Sequence, residues 1–212
     1  MCGHVFHAFA VRSRAQAGYH SPMDQHHTMP FDLAAALQAH AVASPQCAAQ
    51  VALFDSFLVS SPDVFQRWHP PGHFTGSAWL VAGDGERVLL THHRKLGRWL
   101  QLGGHADGDC DLARVALREA QEESGLDALA VEPRIFDIDR HRIPVRADEP
   151  EHWHYDVRFV VHAGADETFV VSEESHALAW RRIDEIAADA DAEASMQRMA
   201  RRWLAARAAG VY

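Results

Sequence analysis

The clearest hydrophobic period in the chain lies between Asp111 and Ser124. Ala113, Ala116, Leu117 and Ala120 fall at i, i+3, i+4 and i+7, a stripe that predicts a helix buried along one face. Asp109 and Asp111 place carboxylates at its positive end, and Gly125 is a stop signal. Upstream, PFDLAAALQAH predicts a helix from about Asp32, an N-cap, to His40. Ser44-Pro45 opens a second helix to about Leu58, with Leu53, Phe54, Phe57 and Leu58 as its apolar stripe. A further helical turn is expected from Ser61-Pro62 to Trp68. The break at His69-Pro70-Pro71-Gly72 closes this lead-in. TGSAWLVA (75–82) and RVLLTH (87–92) then predict a hairpin about Gly83-Asp84-Gly85. Short strands are expected at Trp99–Leu102, 169–171 and 177–181, and longer ones at 134–143 and 152–163. In the last of these, Trp153, Tyr155, Val157 and Phe159 share one face, and His152, His154, Asp156 and Arg158 the other. A helix over 187–209, carrying Met196, Met199, Trp203 and Leu204, ends the pattern.

This order predicts an α/β fold with a mixed β-sheet between helices, in three parts. Residues 1–29 have no sustained period and are expected to be a loose extension. Residues 30–69 form an N-terminal helical extension, and residues 70–212 the main domain.

Composition narrows the picture. The content is 48% hydrophobic and 23% charged, as in water-soluble domains, and the formal net charge is -9. An acidic chain is a poor binder of nucleic acid or anionic membrane, so neither is expected as a partner. No apolar run approaches the ~20 residues of a membrane span, and no signal peptide is evident. The three cysteines form no paired framework, which points to a reducing cytoplasm. Sixteen histidines are more than composition leads one to expect, and eight of them fall between His69 and His154.

The chemistry is concentrated around the 111–124 helix. At roughly 100° per residue, Glu119, Glu122 and Glu123 project within one narrow arc. Three carboxylates so placed either face water or share a cation, and a hard, oxygen-seeking ion such as Mg²⁺ or Mn²⁺ suits them. The stretch from Gly104 to Leu126 resembles the Nudix box, G-x5-E-x7-R-E-U-x-E-E-x-G-U, where U is aliphatic. Gly104 fits the first glycine, and Arg118 to Leu126 fits the whole second half. Cys110 stands where the family has its first glutamate; Asp109 and Asp111 flank it as candidate substitutes.

The resemblance covers about residues 70–190 and implies a Nudix-like α/β/α sandwich. It also implies hydrolysis of a pyrophosphate linkage in a nucleoside diphosphate joined to another moiety, X. Glu119, Glu122 and Glu123, with the Gly103 carbonyl, would hold Mg²⁺ or Mn²⁺; Glu122, Glu119 and Arg118 carry the expected catalysis. Arg118 would orient a glutamate, unless it forms a surface bridge to Glu122 one turn on. Glu174, with Glu173 beside it, is the expected acid from a loop outside the box. His105, Gly104, Arg98 and His154 are the expected substrate contacts, with Arg94 and Lys95 near Arg98. His152, His154 and Asp156 also form a row that suits phosphate, solvent or a histidine-bound transition metal. Trp99 and Trp153 are candidates for base stacking or for the core. A small nucleotide or other diphosphate is the expected partner, and a homodimer is left open. The rival reading is a Nudix-fold sensor that binds a nucleotide without cleaving it.

Overall fold

The computed structural model describes residues 31–94, 96–145, 149–171 and 175–212; the expected 1–29 extension and Glu173 and Glu174 lie outside them. Two lead-in helices, α1 (Leu33–Ala43) and α2 (Ala48–Leu58), precede strand β1 (Gly72–Val81). Strands β2 (Arg87–His93), β3 (Arg98–Leu100) and β4 (Leu102–His105) then lead into helix α3 (Leu112–Ser124). After it come β5 (Leu129–Ile143), β6 (His152–Ala163), β7 (Ser175–Arg182), α4 (Ile183–Ala188) and α5 (Ala194–Ala208).

The seven strands form one mixed sheet. Its spine runs β3-β2-β1-β6-β5, with β4 paired to β1 and β7 to β2. β1 and β6 run parallel from Gly72↔Trp153 to Val81↔His162, whereas β5 and β6 are antiparallel. Helices cover both faces. Phe74, Ala78 and Leu80 of β1 point to the cluster built by α1, α2 and α3, including Leu37, Phe54, Val115 and Ala116. Trp79 and Val81 point the other way, to Ile183, Met196, Met199 and Trp203 of α4 and α5. This is the expected α/β/α sandwich, and the lead-in helices share its core.

Several local expectations are corrected. The β1–β2 hairpin pairs only at Val81↔Val88, because β1 spends its length on β6 and β4. Residues 169–171 form no strand. There the Val170 N–H donates to the Ser124 carbonyl at 2.7 Å, satisfying the end of α3 rather than the sheet. The terminal helix is broken in two, because Asp189 leaves the helix and its side chain accepts from the Asp191 N–H at 2.9 Å. The segment from Ser61 to Trp68 is a series of turns, and Leu53 is exposed while Val51 takes its place in the α2 stripe.

Candidate active site

Helix α3 is fixed at both ends as its sequence demands. The Asp111 carboxylate accepts from the Arg114 N–H at 3.0 Å, and Gly125 closes the helix in the left-handed region at φ 71°. The helix lies close on β1 because a side chain at Gly76 would crowd the Leu112 carbonyl, 2.8 Å from such a Cβ.

The double glycine then lets the acids of α3 meet the sheet. A Cβ on Gly103 would overlap the Ser77 hydroxyl, and one on Gly104 would overlap the Glu119 carboxylate. Glu119 is therefore laid directly against backbone. Arg118 donates to Glu119 Oε1 at 2.9 Å and to the His105 carbonyl at 3.0 Å, so it ties the acid to β4 rather than bridging to Glu122. The hydrogen bond to Glu119 raises the Arg118 pKa further above its usual value. Glu123 accepts from the Gly103 N–H at 2.8 Å.

These groups border a cleft of about 920 Å³, lined by Gly103, Gly104, His105, Arg118, Glu119, Glu122 and His154. Its floor is the sheet face that carries Thr75, Ser77 and Asp156. There Asp156, 1% exposed, accepts from Thr75 Oγ1 at 2.9 Å, Ser77 Oγ at 2.8 Å and Gln101 Nε2 at 3.3 Å. Behind it Arg158, 2% exposed, donates to Asp156 at 2.7 Å and to Asp137 at 3.2 Å. Arg198 of α5 reaches Asp137 at 2.7 Å and Asp139 at 3.0 Å. Asp139 sits well below the usual carboxylate range: burial raises its pKa, but the His141 hydrogen bond and the Arg158 and Arg198 charges outweigh it.

At one end of the cleft the imidazoles converge. The ring centroids of His73 and His154 are 4.7 Å apart, those of His73 and His105 5.0 Å, and those of His105 and His154 5.3 Å. His152 and His141 stand behind His154, at centroid distances of 5.2 and 5.3 Å. Burial, followed by the neighbouring imidazoles, pushes His73 down to about 3 and His154 to about 2. Burial lowers His105 as well. His141 is raised, because its bond to Asp139 and the Asp156 charge overcome burial.

Of the residues singled out in the sequence, Gly103, Gly104, His105, Arg118, Glu119, Glu122 and His154 meet in this cleft. Glu123 serves its rim through Gly103. Arg98 does not line the cleft: the chain turns at Gly97 (φ 62°), and Arg98 lines a separate pocket of about 440 Å³ with Trp99 and Arg181. Arg94 lines the cleft instead. Trp153 and Trp99 pack against the two core clusters. Cys110, at the position of the box's first glutamate, is exposed. Asp109 is held by Arg114 at 2.6 Å, which lowers its pKa, and Asp111 caps α3. Sequence reasoning missed Thr75, Ser77, Gln101, Glu149 and the Arg67–Asp107 pair, all of which line the cleft. It counted His73 among the histidines but placed it outside any strand; His73 is the second residue of β1.

The family model for the NUDIX domain matches residues 73–203. The chain belongs to the NUDIX domain family, whose hydrolases generally use divalent metal ions. Among solved structures, a binary complex of a C. elegans Ap4A hydrolase is similar at 17% identity and a TM-score of 0.52, covering 64% of this chain and 98% of that one. A NUDIX-family hydrolase from Clostridium perfringens is similar at 25% identity and 0.48, covering 63% and 96%. A MutT protein from Methanosarcina mazei Go1 is similar at 20% and 0.49, covering 66% and 97%. No curated protein sequence matches the chain. Among the described residues, no helix is long and apolar enough to cross a membrane.

Proposed function

We propose that the protein hydrolyses a pyrophosphate linkage in a nucleoside diphosphate joined to another moiety, using Mg²⁺ or Mn²⁺. The observation that carries this reading is the Glu119 carboxylate, locked between Gly104 and Arg118 at the wall of an open cleft that Glu122 also lines. Carboxylate and carbonyl oxygens are the donor set that hard divalent ions take, so Glu119, Glu122, Glu123 and Gly103 fit the ion. When bound, such ions neutralise phosphate charge and make water a competent nucleophile.

The chain's own residues do the remaining work. Arg118 fixes the Glu119 rotamer and, through the His105 carbonyl, the bend that carries Gly104. Exposed Glu122 is the group free to take a proton from water at its carboxylate oxygen. Arg94 lines the cleft as a cation for phosphate oxygens, and Arg67 lines it held by Asp107. Glu174 belongs to this reading as an auxiliary acid, testable as Glu174→Gln.

The test is a panel of nucleoside diphosphate derivatives, dinucleoside polyphosphates and nucleoside triphosphates with Mg²⁺, comparing the protein with Glu122→Gln. Product release by the wild type, reduced about 10²–10⁴-fold in the variant, supports the proposal. A second reading, a nucleotide sensor, is favoured by exposed Cys110 at the position of the box's first acid. Nucleotide binding with no product from either protein would establish the sensor instead.

A further inference from the structure

The imidazoles at the end of the cleft form a cluster separate in chemistry from the glutamates. One nitrogen from each of His73, His105 and His154 lies within 4.8 Å of the other two. They come from three strands: His73 from β1, His105 from its antiparallel neighbour β4, and His154 from its parallel neighbour β6. In the sheet His73 pairs with His154, and Thr75 with His105. Such convergence is what a spacing argument on sequence lacks.

Two further observations point to a cation. His73 is fully buried, yet neither of its ring nitrogens has a hydrogen-bond partner. A buried imidazole without partners is costly, and a metal ion supplies the missing acceptor for a lone pair. His152 Nε2 and His154 Nε2 stand 3.3 Å apart, while His152 Nδ1 bonds to the Pro150 carbonyl at 2.9 Å. With its Nδ1–H donated to that carbonyl, His152 Nε2 accepts from His154 Nε2–H, so the 3.3 Å contact is a hydrogen bond that leaves His154 Nδ1 as the lone pair open to an ion. Anchored on the Pro150 carbonyl, His152 fixes the ring of His154, the outer support that metal-bound imidazoles carry.

We propose that His73, His105 and His154 bind one borderline divalent ion of the zinc class, with His152 backing His154. Imidazole nitrogen prefers such ions, whereas the carboxylates of α3 prefer Mg²⁺ or Mn²⁺, so the two ends of the cleft select different metals. Three protein ligands leave a fourth position open. Because His105 and His154 both line the cleft, that position faces it and suits a phosphate oxygen. Metal binding here is independent of whether the glutamates catalyse hydrolysis.

The experiment uses the full chain without a histidine tag, stripped with chelator and titrated with Co²⁺. The expected result is one equivalent per chain, with the intense visible absorption of low-coordinate Co²⁺, displaced by Zn²⁺ and perturbed by inorganic phosphate. The combined variant His105→Gln/His154→Gln abolishes the absorption, and Glu119→Gln/Glu122→Gln retains it. X-ray absorption at the zinc edge of the wild type needs no variant and is expected to show three imidazoles. Absence of the Co²⁺ bands, an oxygen-only zinc shell, or bands that persist in the histidine variant or vanish in the glutamate variant would overturn the site. Bands insensitive to phosphate would overturn the open position.

Discussion

Replacing Arg158 by methionine isolates the charge network beneath the cleft. Methionine keeps the length of the stem and removes the guanidinium from Asp156 at 2.7 Å, Asp137 at 3.2 Å and Asp139 at 3.5 Å. The three acids do not suffer equally. Asp137 and Asp139 keep Arg198, at 2.7 and 3.0 Å. Asp156 keeps the hydroxyls of Thr75 and Ser77 and the amide of Gln101 but loses its close cation, while 1% exposed. Breaking a buried pair costs about 3–5 kcal/mol, and the surviving bonds favour the lower end. For a chain of this size that lowers Tm by about 6–12 °C. Thermal denaturation followed by circular dichroism reads the shift, which is expected to be nearly the same in low and high salt because the groups are hidden from it. Arg158→Met/Asp156→Asn, which removes both charges, is expected to regain much of the loss. A loss under about 1 kcal/mol in the single variant, or a double variant worse than the single, would refute the reasoning.

Three other outcomes follow from the same geometry. Gly104→Ala drives its methyl into the Glu119 carboxylate and is expected to cut hydrolysis by about 10²-fold, read as kcat, with unaltered far-ultraviolet circular dichroism. Cys110→Ala, at an exposed position outside the cleft, is expected to leave kcat unchanged and shift stability by less than about 0.5 kcal/mol in urea titrations. Burial, then the Arg202 charge, depresses the pKa of His40, so below about pH 6.5 the unfolded chain binds a proton that the folded chain refuses, at a cost of up to about 1.4 kcal/mol per pH unit. His40→Gln keeps a donor for the Ile135 carbonyl, and its stability relative to the parent is expected to improve from pH 7 to pH 5; an unchanged difference would count against this assignment.

The acid-bearing helix was legible because its chemistry is contiguous. Stripe, cap, stop and glutamates all lie within Asp109–Gly125, where local rules suffice. The alternation of His152, His154, Asp156 and Arg158 was legible too, but not its meaning. Spacing shows that these side chains share a face; it does not show that Asp156 and Arg158 are buried on it while His154 lines the cleft. The opposite charges of Asp156 and Arg158, two apart on a strand, were the available sign of an internal ion pair. Thr75 and Ser77 meet Asp156 across 81 and 79 residues, and no local pattern reports such a pairing. His73 escaped because the preceding prolines and glycine were read as a longer break than the chain makes. Arg98 was misplaced by one tight turn.

The parallel seam between β1 and β6 has a consequence for how this molecule is made. It alone aligns His73 with His154 and Thr75 with Asp156, and a slip of one position would turn every one of those groups to the opposite side. Those partners are separated by most of the domain, so the ribosome must deliver β6 before either end of the cleft exists. Nascent chains that end short of that strand are expected to hold the acidic helix yet lack a floor for it to work against.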